Sequence, residues 1–304
     1  MFNKAILAAI LAVFFVQGRA QSQPDTNVVI KVAGVDWSKD GEQIYFTFIK
    51  FDKAHRAQLG AKCYAYDVAS KKLNQLPFEG RSVAVSPDRK KVAFIKPNEN
   101  NKNGIYLYDL LSRTEQPLVK DTFNNNAPRW SPDGRSIAFN RQYGTGRTGA
   151  VEICIVDVST GQVRQVTESG GSKSYEPVWS PQGDQIAYYL EKGDNHDQIY
   201  ITDASGSFHK NLTNDTTTHN YFPCWMNESE IVYTDAKGGL MVVNTSGGRK
   251  KMTDINTTGR IVYNPYIHSA LYMQAGKFGK LRLVKADGSI PELVIDEESL
   301  QTLF

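Results

Sequence analysis

The sequence predicts an all-β fold built from repeated four-stranded units. A hairpin signature recurs along the chain and is clearest in residues 127–139, APRWSPDGRSIAF, and residues 176–188, EPVWSPQGDQIAY. Beyond the first twenty residues, no segment longer than a few residues shows the apolar spacing of a helix. The hairpins return every 40–50 residues or so, a roughly constant interval that is typical of propellers. These observations predict a six-bladed β-propeller of four-stranded antiparallel blades.

Each hairpin turn carries residues suited to a tight reversal of the chain. In the turn Ser131-Pro132-Asp133-Gly134, proline presets φ at the first central position and aspartate suits the second. Gly134 then takes the left-handed corner, which residues with a Cβ resist. We place the equivalent anchors near residues 38, 86, 131, 180, 226 and 267, one for each expected blade.

Two further strands follow each hairpin. The third strand alternates along its length, at residues 63–68, 105–110, 153–158, 199–204, 240–244 and 281–287. A shorter fourth strand follows at residues 73–76, 116–119, 163–167, 210–213, 250–253 and 292–295. Since one such sheet does not bury both faces alone, we expect radial stacking, with Trp37, Trp130, Trp179 and Trp225 between blades. Two modes of ring closure stay open: residues 28–32 pair with the last blade, or the end blades simply meet.

The first twenty residues predict a secretory signal peptide. Lys4 supplies a positive start, the apolar run of residues 5–16 is too short to span a bilayer, and Gly18-Arg19-Ala20 offers small residues for cleavage. The alternative is a buried or anchoring helix. We therefore expect residues 21–304 to form a single propeller domain, periplasmic or secreted, with no membrane span after cleavage. No cysteine stands directly after the apolar run, which argues against a lipid anchor.

Composition gives little reason to expect a charged partner. The formal net charge is +3 with 22% charged residues, so neither nucleic acid nor an anionic membrane is expected as a partner. The three cysteines, Cys63, Cys154 and Cys224, are odd in number and lack a Cys-x-x-Cys pair, which argues against a disulfide framework or a thiolate metal site. We expect them to be buried as small apolar side chains.

The repeat P-x-W-S-P-D-G-x-x-I-A-F, followed by I-Y-x-x-D-x-x-x-G-x-x-x-x-L-T, resembles the propeller repeat of the TolB family of exported bacterial proteins. The resemblance covers about residues 33–296 and implies the fold. TolB carries an α/β domain ahead of its propeller, and we expect none here, so the Tol–Pal role is not carried over. Similar propellers precede the hydrolase domain of prolyl-oligopeptidase-type enzymes. The chain has no Gly-x-Ser-x-Gly elbow, and we expect no room for a hydrolase domain.

The expected site is the mouth of the central channel, where loops lead into the first strand of each blade. These loops carry amides, aromatic rings and a few charges, a mixture that suits peptide or carbohydrate. The candidate binding residues are Asn126, Arg129, Tyr175, Glu176, His219, Tyr221, Asn264 and Tyr266. The favoured interpretation is a non-enzymatic module of the cell envelope that binds a protein or peptide, possibly a carbohydrate, and needs no cofactor.

The alternative is a metal-dependent, carbohydrate-active propeller enzyme of the sugar-acid lyase type. Such enzymes hold a metal with several channel histidines, and here Glu176, His219 and His268 are the candidate ligands. This hypothesis requires the three side chains to converge within about 5 Å.

Overall fold

The computed structural model describes residues 28–144, 149–192, 195–253, 257–274, 280–285 and 292–296. All regular secondary structure in these segments is β-strand, which confirms the predicted all-β class. In the same segments, no helix has the length and apolar character needed to cross a membrane. The expected signal peptide, residues 1–20, lies outside the described residues.

The described strands fall into six consecutive sets of four. The first set is β1 (Val28–Trp37), β2 (Gln43–Asp52), β3 (Ala57–Asp67) and β4 (Lys72–Gln75). The second is β5 (Arg81–Val85), β6 (Lys91–Pro97), β7 (Asn103–Asp109) and β8 (Thr114–Val119). The third is β9 (Asn124–Trp130), β10 (Ser136–Tyr143), β11 (Ala150–Asp157) and β12 (Val163–Gln165). The fourth is β13 (Lys173–Trp179), β14 (Gln185–Lys192), β15 (Asn195–Asp203) and β16 (His209–Asn211). The fifth is β17 (Asn220–Trp225), β18 (Glu230–Asp235), β19 (Leu240–Asn244) and β20 (Arg249–Thr253). The sixth is β21 (Thr257–Asn264), β22 (Ser269–Gln274), β23 (Lys280–Lys285) and β24 (Glu292–Asp296).

Within each set, the four strands pair antiparallel with their neighbours in the chain, as the alternating sequence pattern predicts. The third and fourth sets are joined into one eight-stranded sheet by a parallel contact between Val151 of β11 and Lys173 of β13. The sheets therefore number five, although the antiparallel units follow the predicted repeat. No hydrogen-bonded ladder joins the first sheet to the last among the described strands.

The first and last sheets meet by packing. Val35 and Trp37 share a hydrophobic core with Val262, Leu271 and Leu281. Residues 28–32 belong to β1 and pair with β2.

We call the first strand of each set its leading strand. Each leading strand contacts the next one along the chain, and β21 contacts β1. Five of them carry a residue with positive φ three positions before the end of the strand: Gly34, Ser82, Ala127, Glu176 and Phe222. The strand register shifts at each of these residues, as in a β-bulge. The bulge thus recurs with the sequence repeat in these five strands.

The predicted turn chemistry is present at the hairpin of the third set. The Gly134 N–H donates to the Ser131 carbonyl at 2.9 Å, and Gly134 has a φ of +72°. The Ser131 hydroxyl donates to Asp133 Oδ1 at 2.6 Å and accepts the Ser136 N–H at 3.0 Å. The Ser-Pro-Asp-Gly signature therefore fixes the hairpin through its side chains as well as its backbone.

Tryptophans tie neighbouring sets together, as predicted. The indole N–H groups of Trp130, Trp179 and Trp225 donate to the backbone carbonyls of Ala84, Arg129 and Val178, at 3.0, 3.2 and 3.1 Å. Each of these bonds joins the end of one leading strand to the preceding one. Trp37, where the first and last sheets meet, is buried, but its N–H has no hydrogen-bond partner among the described residues.

The three cysteines, Cys63, Cys154 and Cys224, are free and buried, which confirms the expectation for them.

Candidate functional site

A cavity of about 160 Å³, which we call the central cavity, lies where the leading strands end. All six leading strands contribute to its wall, through Asp36, Val85, Arg129, Val178, Cys224 and Val262. Residues of the hairpin turns surround its mouth, among them Lys39, Pro87, Pro132, Pro181, Pro265 and Tyr266. Because every set contributes, the cavity is a property of the whole repeat array.

Aromatic rings dominate the wall. Trp37, Trp130, Trp179 and Trp225 all line the central cavity, and they are the four tryptophans of the chain. At the mouth, the Lys39 ammonium lies 4.3 Å from the centroid of the Tyr266 ring, within range of a cation–π contact. The cavity is therefore an apolar, aromatic recess with a few charged groups, the usual composition of a ligand site.

Arg129 is the cation set into this wall. It lies at the end of β9, two residues beyond the left-handed Ala127, and is half-buried. Its side chain makes one weak hydrogen bond, from a guanidinium nitrogen to the Pro128 carbonyl at 3.4 Å. Among the described residues, no carboxylate lies within ion-pair distance of its guanidinium. The donors of Arg129 are thus largely unused.

Among the described residues that line the wall, Asp36 is the one acidic side chain. Its carboxylate accepts the Val85 N–H at 2.9 Å, which ties the end of β1 to β5. Burial raises the pKa of Asp36, and the charges of Arg129 and Arg260 and two backbone N–H groups only partly oppose this.

Glu176 and Arg260 form an ion pair that links β13 to β21. These strands belong to the fourth and sixth sets, so the pair joins leading strands that are not consecutive. Burial and the charge of Arg129 lower the pKa of Arg260, whereas Glu176 raises it. Arg260 therefore has its counter-ion in place, in contrast to Arg129.

A second group of candidates lies at the opposite end of the leading strands, where they begin. His219 Nδ1 is 2.8 Å from Asp197 Oδ2, and the His219 ring stacks on Tyr221 with centroids 5.8 Å apart. Tyr189 contacts both Tyr221 and Tyr175, at 5.6 and 5.3 Å between centroids. The four rings of Tyr175, Tyr189, His219 and Tyr221 make an aromatic cluster between the fourth and fifth sets, and Asp197 pairs with its histidine.

The predicted site residues are thus divided between locations. Arg129, Asn264 and Tyr266 line the central cavity. Tyr175, His219 and Tyr221 belong to the aromatic cluster, and Glu176 is paired with Arg260. The Asn126 side chain accepts a hydrogen bond from Asn103 at 2.8 Å.

Asn264 has a structural role as well. Its amide donates to the Ser38 carbonyl at 3.0 Å and its oxygen accepts the Tyr266 N–H at 3.0 Å, so it holds the junction of the last and first sheets.

Sequence reasoning did not select Asp36 or Lys39, and it assigned the tryptophans to packing between blades. A signal for Asp36 was available, because it directly precedes a tryptophan anchor, as the predicted residue Arg129 does. Successive side chains of a strand point to opposite faces, so the residue before a packing tryptophan faces away from that contact.

The three alternative metal ligands do not come together. Glu176 is paired with Arg260 and His219 with Asp197, while His268 is exposed in the turn between β21 and β22. Among the described residues, no group of three His, Cys, Asp or Glu side chains is arranged to hold a metal ion.

Comparison with known proteins identifies the family. The model of the TolB beta propeller domain matches residues 81–299. The Tol-Pal system protein TolB of Francisella tularensis subsp. mediasiatica is 30% identical over 130 residues, which are 40% of this chain and 29% of that protein. The uncharacterized peptidase YuxL of Bacillus subtilis is 29% identical over 115 residues, or 36% of this chain and 17% of that protein. The chain thus matches less than a third of the length of either curated relative.

A structural comparison agrees on the fold. The crystal structure of TolB from Acinetobacter baumannii superimposes with a TM-score of 0.60 at 18% identity, over 87% of this chain and 79% of that one. Together with the match of the family model over most of the chain, this likeness leads to one conclusion: the chain belongs to the TolB β-propeller domain family.

Proposed function

We propose that this chain is a six-bladed TolB-like propeller of the cell envelope whose central cavity binds a protein or peptide partner. The observation that carries the proposal is the central cavity itself, an aromatic recess to which all six leading strands contribute. It contains the Arg129 guanidinium, which has no carboxylate within ion-pair distance among the described residues.

Four features support six blades in a ring. The described strands fall into six sets of four, and consecutive leading strands are in contact. The sixth leading strand also contacts the first, and Asn264 donates a hydrogen bond to the Ser38 carbonyl across that junction. Radial stacking of this kind buries both faces of each sheet.

Export is supported by the sequence. Lys4, the apolar run at 5–16 and the small residues around Ala20 suit a signal peptide, and two curated relatives are Tol-Pal system proteins of bacteria. A secretory leader would deliver the propeller to the envelope, where exported partners are available.

The size and wall of the cavity favour a segment of polypeptide as ligand. About 160 Å³ holds a side chain or a chain end, but not a folded element. Tryptophan, tyrosine and arginine are the residues that contribute most to protein recognition, because they combine large contact area with directed hydrogen bonds. The mouth offers Lys39 and Tyr266, which is 44% exposed.

Site-specific photocrosslinking tests this function. The photoreactive residue p-benzoylphenylalanine replaces Tyr266 at the mouth, or Leu111, which is 89% exposed in the turn after β7, as the control. In envelope extract, the Tyr266 variant is expected to give a discrete crosslinked partner that the Leu111 variant does not give. Identical products from both positions, or none from Tyr266, would contradict binding at the cavity.

A further inference from the structure

We infer that the central cavity selects a carboxylate group, which Arg129 binds. The inference rests on the proposed function and names the chemistry of the ligand. The carboxylate comes from a peptide, either from its C-terminus or from an aspartate or glutamate side chain.

The unused guanidinium is the first argument. Arg129 is half-buried at the end of β9, and its one side-chain hydrogen bond, to the Pro128 carbonyl, is long at 3.4 Å. Arg260, in contrast, already has Glu176 as its partner. An arginine presents five N–H donors in a planar fork that matches the two oxygens of a carboxylate. A ligand carboxylate would give Arg129 the direct ion pair that no carboxylate of the described residues makes with it.

The charge balance of the wall points the same way. In the part of the chain that the structure describes, the charged residues that line the central cavity are Asp36, Lys39 and Arg129, one acid and two bases. The Asp36 carboxylate is held by the Val85 N–H at 2.9 Å and lies beyond ion-pair distance of Arg129. The wall therefore carries a net charge of +1 with Asp36 ionised, and more when Asp36 is protonated. A cavity of this charge favours an anion over a cation.

The shape of the surface explains how a peptide would reach Arg129. A groove of about 400 Å³ lies between the second and third sets and shares Lys39, Ser86, Pro87, Trp130 and Pro132 with the central cavity. It is therefore continuous with the mouth. A peptide with its carboxylate on Arg129 has this groove for the rest of an extended chain.

Selection from synthetic peptide pools tests the inference. The intact protein is immobilised and offered three pools of N-acetylated hexapeptides. The first pool has no Asp or Glu but a free C-terminus, the second is the same pool as C-terminal amides, and the third is amidated but contains Asp and Glu. Retained peptides are quantified by mass spectrometry. The variants are Arg129→Gln, Arg129→Lys and Arg135→Gln, the last being the control because Arg135 lies on the same set with its side chain 85% exposed.

We expect the protein to retain about tenfold more of the first or third pool than of the second. This is the order of the gain in affinity from one charge-assisted hydrogen-bonded pair. Retention of the first pool identifies a terminal carboxylate, and of the third an acidic side chain. Arg129→Gln should abolish the preference, Arg129→Lys should retain part of it, and Arg135→Gln should leave it unchanged. Equal retention of all three pools, or a preference that survives in Arg129→Gln, would overturn the inference while peptide binding stands. Retention of none would overturn both the inference and the proposed peptide function.

Discussion

Replacing Trp225 with phenylalanine should destabilise the protein more than the same change at Trp37. Both indoles are buried, with exposed fractions of 2% and 6%. The Trp225 N–H donates to the Val178 carbonyl at 3.1 Å, whereas the Trp37 N–H has no partner among the described residues. The two substitutions remove similar apolar volume. The difference between their effects on the free energy of unfolding therefore reports on the hydrogen bond.

The expected difference follows from the two losses at Trp225. A typical intramolecular hydrogen bond contributes about 1 kcal/mol net, and leaving a buried acceptor without its donor costs about 1–3 kcal/mol. Trp37→Phe instead removes a buried donor that is already unsatisfied. We therefore expect Trp225→Phe to lower the free energy of unfolding by about 2 kcal/mol more, a further drop in Tm of roughly 4–8 °C.

Urea unfolding followed by the fluorescence of the remaining tryptophans measures both variants. Trp179→Phe is the matched control, because its indole donates to the Arg129 carbonyl at 3.2 Å and its loss should resemble that of Trp225. Equal destabilisation by Trp37→Phe and Trp225→Phe would contradict this reasoning. It would show that the indole N–H hydrogen bonds between sets do not stabilise the folded protein.

Three further predictions address the backbone and the charges. Gly34→Ala should lower the free energy of unfolding by more than about 2 kcal/mol, because φ is +57° and the new Cβ would lie 2.6 Å from Ser82 Cα. Gly60→Ala is the control: its new Cβ would meet open space, so its thermal unfolding should be nearly unchanged. Glu176→Gln should cost about 3 kcal/mol by leaving Arg260 without its counter-ion, and a double-mutant cycle with Arg260→Gln should show the coupling. Asp36→Asn should raise the Tm at pH 7 but not near pH 4. The folded-state pKa of Asp36 is raised above 3.8, its ordinary value, so the folded protein favours the protonated acid. The free energy of unfolding therefore falls as the pH rises from 3.8 to the higher folded-state pKa.

The repeat could be predicted from the sequence because its determinants are local. Proline, aspartate and glycine set each turn, as the contacts of Ser131, Asp133 and Gly134 show. Strand alternation then defines which side chains pack, and Trp130, Trp179 and Trp225 contact the preceding set as expected. The contact between Val151 and Lys173, which merges two sets into one sheet, has no such local signal.

The site was predicted only in part because its location depends on how the six leading strands pack together. Arg129 and Tyr266 line the central cavity, but Tyr175 and His219 lie at the other end of the leading strands despite a similar polar and aromatic context. The distinction depends on which end of six packed strands leaves a recess. The ion pair between Glu176 and Arg260 could not be predicted from the sequence either. The two residues are 84 positions apart, and no sequence pattern connects them.

The most direct test of the central claim is a tryptophan fluorescence titration, because all four tryptophans line the central cavity. The probe is whichever carboxylate-bearing hexapeptide pool, free C-terminus or acidic side chain, is preferred by the immobilised protein, added to wild type and to Arg129→Gln. Binding in the cavity predicts a saturable change of emission in wild type that is lost or weakened by about tenfold in the variant. An unchanged spectrum in wild type, or the same saturation curve for both proteins, would contradict it.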